Sequence, residues 1–267
     1  MLDKELLVFP LLTISVLGLI VASVFWPLYM SGALVAILDR LAQDTEGNYD
    51  YIMMAASFVA YLIAYFVMIF FNAALIACVK IRFAGGDPVV MDGLRASTAK
   101  LPQIFGWALV AATVGFVLNL LKNKQGETPS FILGLLGAGW SIAVYFTVPV
   151  LVSENVGPIA AVKRSVSVIK KTWGEALVSE IGLGLLSGLA VLGGIAFGVA
   201  GFVVFESAPV AALSIWGVGV VYALLAALIF STLGSILKSA LYVYAVEGKI
   251  PQNFNDDLIK HAFSSKG

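Results

Sequence analysis

The sequence predicts an all-α polytopic membrane protein with six spans in one domain of 267 residues, and three observations predict it. Hydrophobic residues make up 60% of the chain and charged ones 12%, with a mean hydropathy of +0.99 that water-soluble domains do not approach. Six stretches hold the roughly 20 mostly apolar residues that a membrane helix needs. Lysine and arginine crowd onto alternate connections, as they do when only one side of a membrane receives them.

The first stretch, residues 6–38, carries no charge. As one helix it would reach roughly 50 Å, against roughly 30 Å of hydrocarbon, so it must tilt, kink or project. Pro10 and Pro27 are the expected kink or boundary points, because proline lacks the backbone donor and crowds the preceding turn. The run is longer than a signal-peptide core and no small-x-small cleavage site follows it, so it reads as a retained anchor. The second span covers 51–79, the third 104–121 and the fourth 131–152. The fifth covers 176–205 with Glu180 near its start, and the sixth covers 210–246 with Lys238 inside it.

Three amphipathic helices are expected between or after the spans, over 88–103, 158–173 and 251–263. Asp87 caps the first and Pro88 opens it, with Val90, Met91, Leu94, Thr98 and Leu101 at helical spacing. In the second, Ile159, Val162, Val166, Ile169 and Trp173 step by three and four. Lys163, Arg164, Ser167, Lys170 and Lys171 take the opposite face. A helix of this pattern lies in the headgroup plane, where each cation meets anionic lipid for about 1 kcal/mol. Lys163, Arg164, Lys170, Lys171 and Trp173 are therefore the candidate lipid-contacting residues. The third follows Pro251, with Phe254, Leu258 and Ala262 on one side.

The first two amphipathic segments read as copies. Residues 94–109 and 162–177 align without a gap, sharing Ser97/Ser165, Gly106/Gly174, Ala108/Ala176 and Leu109/Leu177. Repeated units, each a descending span followed by an interfacial helix, are the favoured organisation, with a third unit cut short at residue 267. The alternative is that any six-helix protein with short connections places proline and amphipathic residues at this boundary. Of the 16 lysines and arginines, only Arg40, Lys122 and Lys124 fall on the other side, so both termini are expected in the cytoplasm.

Composition also narrows the chemistry. Sixteen basic residues balance sixteen acidic ones, which leaves no excess to hold a nucleic-acid backbone. Cys78 and His261 are the single cysteine and histidine, too few for a His/Cys metal cage, and no cofactor motif is present. No Ser/His/Asp set, paired intramembrane carboxylates or H-E-x-x-H occurs, so no enzyme is expected. Glu180 and Lys238 are the charges inside spans, expected at similar depth, and opposite charges there neutralise each other better than lipid does. Pairing that only fixes packing is the plainer reading of them. Gly184, Gly188, Gly194 and Gly198 form two small-x-x-x-small patterns in the fifth span. These suit close helix packing within the bundle, or between copies in a homo-oligomer.

The run from Val148 to Leu177, VPVLVSENVGPIAAVKRSVSVIKKTWGEAL, resembles the hallmark of a broad group of uncharacterised prokaryotic six-helix membrane proteins. YciC-like inner-membrane proteins and the membrane domain of some glycerophosphodiester phosphodiesterases belong to that group. The resemblance is carried by Glu154, Asn155 and Gly157 at the end of a span, by the basic-Ser pair Arg164-Ser165, and by Lys170, Lys171 and Trp173. It implies a six-helix fold in a prokaryotic inner membrane and transfers no activity, since no phosphodiesterase domain is attached. The expected function is non-catalytic organisation or handling of lipid, with anionic lipids as partners; a small transporter or channel is the alternative.

Overall fold

The computed structural model describes residues 4–43, 48–123 and 130–248, and among these there are helices and no strand. In chain order they are α1 (Lys4–Met30), α2 (Ala33–Gln43), α3 (Asn48–Phe83), α4 (Val90–Ala99), α5 (Leu101–Asn123), α6 (Ser130–Ala143), α7 (Thr147–Ser153), α8 (Pro158–Ile169), α9 (Trp173–Phe205) and α10 (Pro209–Glu247). Six units are long and apolar enough to cross a membrane: α1, α3, α5, α6 with α7, α9 and α10. The chain is an all-α multi-pass membrane protein. The amphipathic segment expected over 251–263 lies outside the described residues.

Two stretches expected to be continuous are interrupted. The helix of the first span passes through both Pro10 and Pro27 and stops at Met30, so residues 33–38 belong to the separate helix α2. The break falls at Gly32, whose φ of 70° is a left-handed conformation that costs a residue without Cβ nothing. The fourth span is broken over 144–146, between α6 and α7. Pro149 explains why. A continuous helix would require a bond from residue 149 to the Tyr145 carbonyl, which proline cannot donate and against which its ring collides. The chain turns more tightly instead, with Tyr145 N–H on Ile142 O and Thr147 N–H on Val144 O. The Phe146 N–H donates to Ser165 Oγ of α8 at 2.9 Å in a fully buried setting.

Burial is concentrated at one end of the bundle, the end that carries α4, α8 and Glu154, called here the motif end. One cluster joins Ile104, Trp107 and Ala108 of α5 with Phe146, Val150 and Leu151, Ala161 and Val168 of α8, and Leu241 and Tyr242 of α10. A second joins Leu6 and Phe9 of α1 with Leu75, Cys78 and Val79 of α3 and Ile236 of α10. Away from this end, side chains such as Trp26, Phe131, Phe202 and Val210 are exposed, the state expected of surface that lipid covers.

The two short helices pack through faces that overlap only in part with the ones expected: Val90 and Leu94 of α4 and Val162 and Ile169 of α8 do turn toward the core. In α4 the buried residues are Gly93 and Ser97, whereas Met91 is exposed and Leu101 starts the next helix. A Cβ on Gly93 would come within 2.6 Å of Ala74 O and 2.8 Å of Cys78 Sγ, so only glycine lets α4 lie this close to α3. Ser97 Oγ donates to Phe70 O at 3.0 Å. In α8 the buried face is Ala161, Ser165, Val168 and Ile169, while Ile159 is 58% exposed. Small residues share these faces because lipid is as apolar as isoleucine, so close backbone approach helps to decide what is buried. Asp87 does not cap α4: it pairs with Arg82 at 2.9 Å, and Asp92 accepts the Val89 N–H at 3.0 Å in its place.

The hairpin α9–α10 is packed differently from the rest. Gly193, Gly201 and Gly219 meet Tyr222, Trp216 and Phe197 across it. A Cβ on Gly184, Gly188, Gly194 or Gly198 would meet nothing within 4 Å among the described residues. The Gly198 carbonyl accepts the Trp216 indole N–H at 3.2 Å.

Candidate functional site

Two polar assemblies lie one above the other at the motif end. The first is built on Glu154, the C-cap of α7, where the extended backbone of residues 154–157 carries the chain into α8. Arg164, one turn and a half into α8, donates Nε–H to Glu154 Oε1 at 2.8 Å. Tyr242 of α10 donates its hydroxyl to the same oxygen at 2.9 Å. The hydrogen bond from Arg164 to Glu154, helped by the carboxylate's charge, raises the guanidinium pKa above its already high ordinary value. Around this pair, Lys100 Nζ reaches the Glu154 carbonyl at 3.4 Å and Asn155 Oδ1 at 3.2 Å. Lys80 Nζ of α3 donates to Ser153 Oγ at 2.9 Å. One short segment, Ser153–Asn155, thus ties together α3, α5 with its preceding turn, α8 and α10.

This arrangement divides the basic residues of the second amphipathic segment. Arg164 is turned inward onto Glu154 and is not part of a free basic surface. Lys163, Lys170 and Lys171 are exposed and make no ion pair among the described residues. Trp173 is the first residue of α9, since α8 ends at Ile169, and its side chain lies outside the described set. Asn155 serves as acceptor for Lys100 and, at 3.5 Å, for Gln103. Gly157 is the N-cap of α8. Ser165 closes the broken fourth span. The roles of Lys100, Lys80 and Tyr242 escaped the sequence reading. Nothing local marked Lys100, Lys80 or Tyr242, and in the gapless match of 94–109 to 162–177 Lys100 stands opposite Val168.

The second assembly lies deeper, one turn of α10 away from Tyr242. Lys238 Nζ is 3.4 Å from Glu180 Oε1, so the two intramembrane charges do meet. The same ammonium sits 4.8 Å from the centre of the Tyr145 ring. Both side chains keep free surface, 38% for Lys238 and 48% for Glu180, because they border a cavity of about 500 Å³ between the hairpin α9–α10 and the other helices. Asn72 of α3, Trp107 of α5, Ser141 and Tyr145 beside the broken span, and Ser235 of α10 line it as well. A smaller cavity of about 280 Å³ between α1, α3 and α10 shares Asn72 and Ser235 with it. Among the described residues, no three metal-ligating side chains converge.

A family profile described as a family of unknown function, DUF6159, matches residues 51–252, most of the chain. The chain belongs to the DUF6159 family. No curated protein and no solved structure matches it. The residues of both assemblies fall inside the matched region, whereas α1 and α2 precede it. For this DUF6159 protein the shared part therefore contains the broken span, its repair by Ser165 and the Glu154 cluster, and of the described residues outside it Leu6 and Phe9 pack into the second cluster.

Proposed function

We propose that this DUF6159 protein is a non-catalytic, multi-pass protein of a prokaryotic inner membrane that organises or handles lipid, with both termini in the cytoplasm. The observation that carries the reading is the division of labour on α8. Its inner face and Arg164 are committed to the bundle, which leaves Lys163 on the helix and Lys170 and Lys171 in the turn that follows it exposed at the end of the spans. Three ammonium groups that make no ion pair among the described residues would, at headgroup depth, attract anionic lipid by roughly 1 kcal/mol each. The Glu154 cluster holds α8 at a fixed height for this purpose.

The test is the electron paramagnetic resonance spectrum of spin-labelled lipid in reconstituted membranes, read as the motionally restricted fraction. Phosphatidylglycerol should associate with the protein several-fold better than phosphatidylcholine, and Lys163→Gln, Lys170→Gln, Lys171→Gln together should erase most of the difference. Equal association of the two lipids with the unaltered protein would refute the reading. A second reading, a pathway for a solute, draws on the interrupted fourth span beside an intramembrane cavity. Flux of a solute into liposomes that Glu180→Gln abolishes would favour it.

A further inference from the structure

We infer that the cavity between the α9–α10 hairpin and the rest of the bundle is a binding site for a zwitterionic group, one that carries a cation and an anion and no net charge. Among the described residues, one ammonium, Lys238, one carboxylate, Glu180, and one amide, Asn72, border it. A ligand of net charge entering here would satisfy one of the two ions and leave the other unpaired at low dielectric, which is strongly unfavourable. A zwitterion satisfies both. Its anionic end meets Lys238 and its cationic end meets Glu180, with the face of Tyr145 already engaging a cation from Lys238 at 4.8 Å.

Two further observations point to a polar occupant. The Glu180–Lys238 contact is loose, at 3.4 Å, and each side chain keeps a third or more of its surface free, so the pair can part without losing other partners. Asn72 lies in the middle of a span, is exposed, and its amide makes no hydrogen bond among the described residues. An amide with four hydrogen-bonding positions is costly in hydrocarbon unless something polar reaches it. The volume of about 500 Å³ lies within the range of sites for small molecules and headgroups. The same zwitterion could belong to a phospholipid entering sideways or to a free solute. This site is distinct from the lysines of α8 and the turn after it, and its test separates the two.

The experiment is native mass spectrometry of the full chain released from nanodiscs of phosphatidylethanolamine and phosphatidylglycerol in equal parts. One phosphatidylethanolamine should be retained after collisional activation. Its retained fraction should fall at least tenfold in the Glu180→Gln, Lys238→Met double variant and stay unchanged when Lys163, Lys170 and Lys171 are neutralised. Adding free glycerophosphoethanolamine to delipidated protein identifies the source. Saturable quenching of tryptophan emission that is missing in Trp107→Phe assigns the free headgroup, and lipid retention without quenching assigns the intact phospholipid. Should the double variant not fold, Asn72→Leu serves the same comparison, with a loss of at least threefold expected. Retention that is unchanged in the variants, or neither retention nor quenching, overturns the proposal.

Discussion

Replacing Ser165 by alanine strips the Phe146 N–H of its acceptor in a place that Ser165 and Phe146, both fully buried, close to water. An unsatisfied buried amide costs roughly 1–3 kcal/mol. Thermal unfolding in detergent should therefore occur several degrees lower for Ser165→Ala, and Ser165→Thr should recover part of the loss. At Gly93 the penalty is steric. The Cβ of Gly93→Ala would press on the Ala74 carbonyl and Cys78 Sγ, so α4 must lift from α3, and the melting temperature should fall more than for Gly184→Ala, where the Cβ meets nothing. Glu154 is bonded from three directions, by Arg164, Tyr242 and Lys100. Glu154→Ala leaves Arg164 and Tyr242 without their shared acceptor, and its destabilisation should exceed that of Arg164→Met, which removes only one donor. Because Arg164 titrates above its ordinary value in the folded chain, its contribution is complete at every pH below that ordinary value and is lost only as pH rises beyond it. The guanidinium side of the cluster should thus show no change in stability between pH 6 and 9, as measured by the same melting curves.

At the scale of elements, the fourth span and the two short helices explain one another. Pro149 breaks the span, the break exposes an amide, and α8 returns over it to supply the hydroxyl. Ser97 stands at the aligned position of α4 and also bonds a span backbone, at Phe70. The aligned serines thus share one task, pinning a short helix to a span, which gives the weak internal match a physical basis. Charge and spacing made much of this legible: the spans, the positions of the short helices, the motif residues Glu154, Arg164 and Ser165, and the meeting of Glu180 with Lys238. The buried faces were legible only in part, with Ile169 foreseen and Gly93, Ser97 and Ala161 not, because periodicity marks apolar residues and in lipid an apolar residue has little reason to turn inward. The same ambiguity hid the end of the first span. Pro27 was the conspicuous residue, but proline can be carried inside a helix whose lost bond costs little near its end, whereas the left-handed turn at Gly32 cannot.

The molecule as a whole is tightly packed at the motif end and open toward the other, with polar residues layered where packing is densest. Stability should follow that gradient. Substituting buried residues at the motif end, such as Phe146→Ala, should unfold the protein at temperatures where changes at Phe202 or Val210 have no effect. Charge is distributed on the same axis. The exposed lysines of α8 and the turn after it stand at the motif end, Lys238 and Glu180 lie below them, and the hairpin that carries this pair leans on the bundle chiefly through α10. On the two proposals together, lipid takes two registers, headgroups at the rim and a zwitterion within. The rim carries the functional account, and native mass spectrometry of the protein ejected from membranes containing both anionic and neutral lipid tests it most directly. The account predicts anionic lipids bound in excess of their share of the bilayer, with the excess removed by neutralising Lys163, Lys170 and Lys171. Bound lipid that merely mirrors the bilayer composition, unchanged by those substitutions, would contradict it.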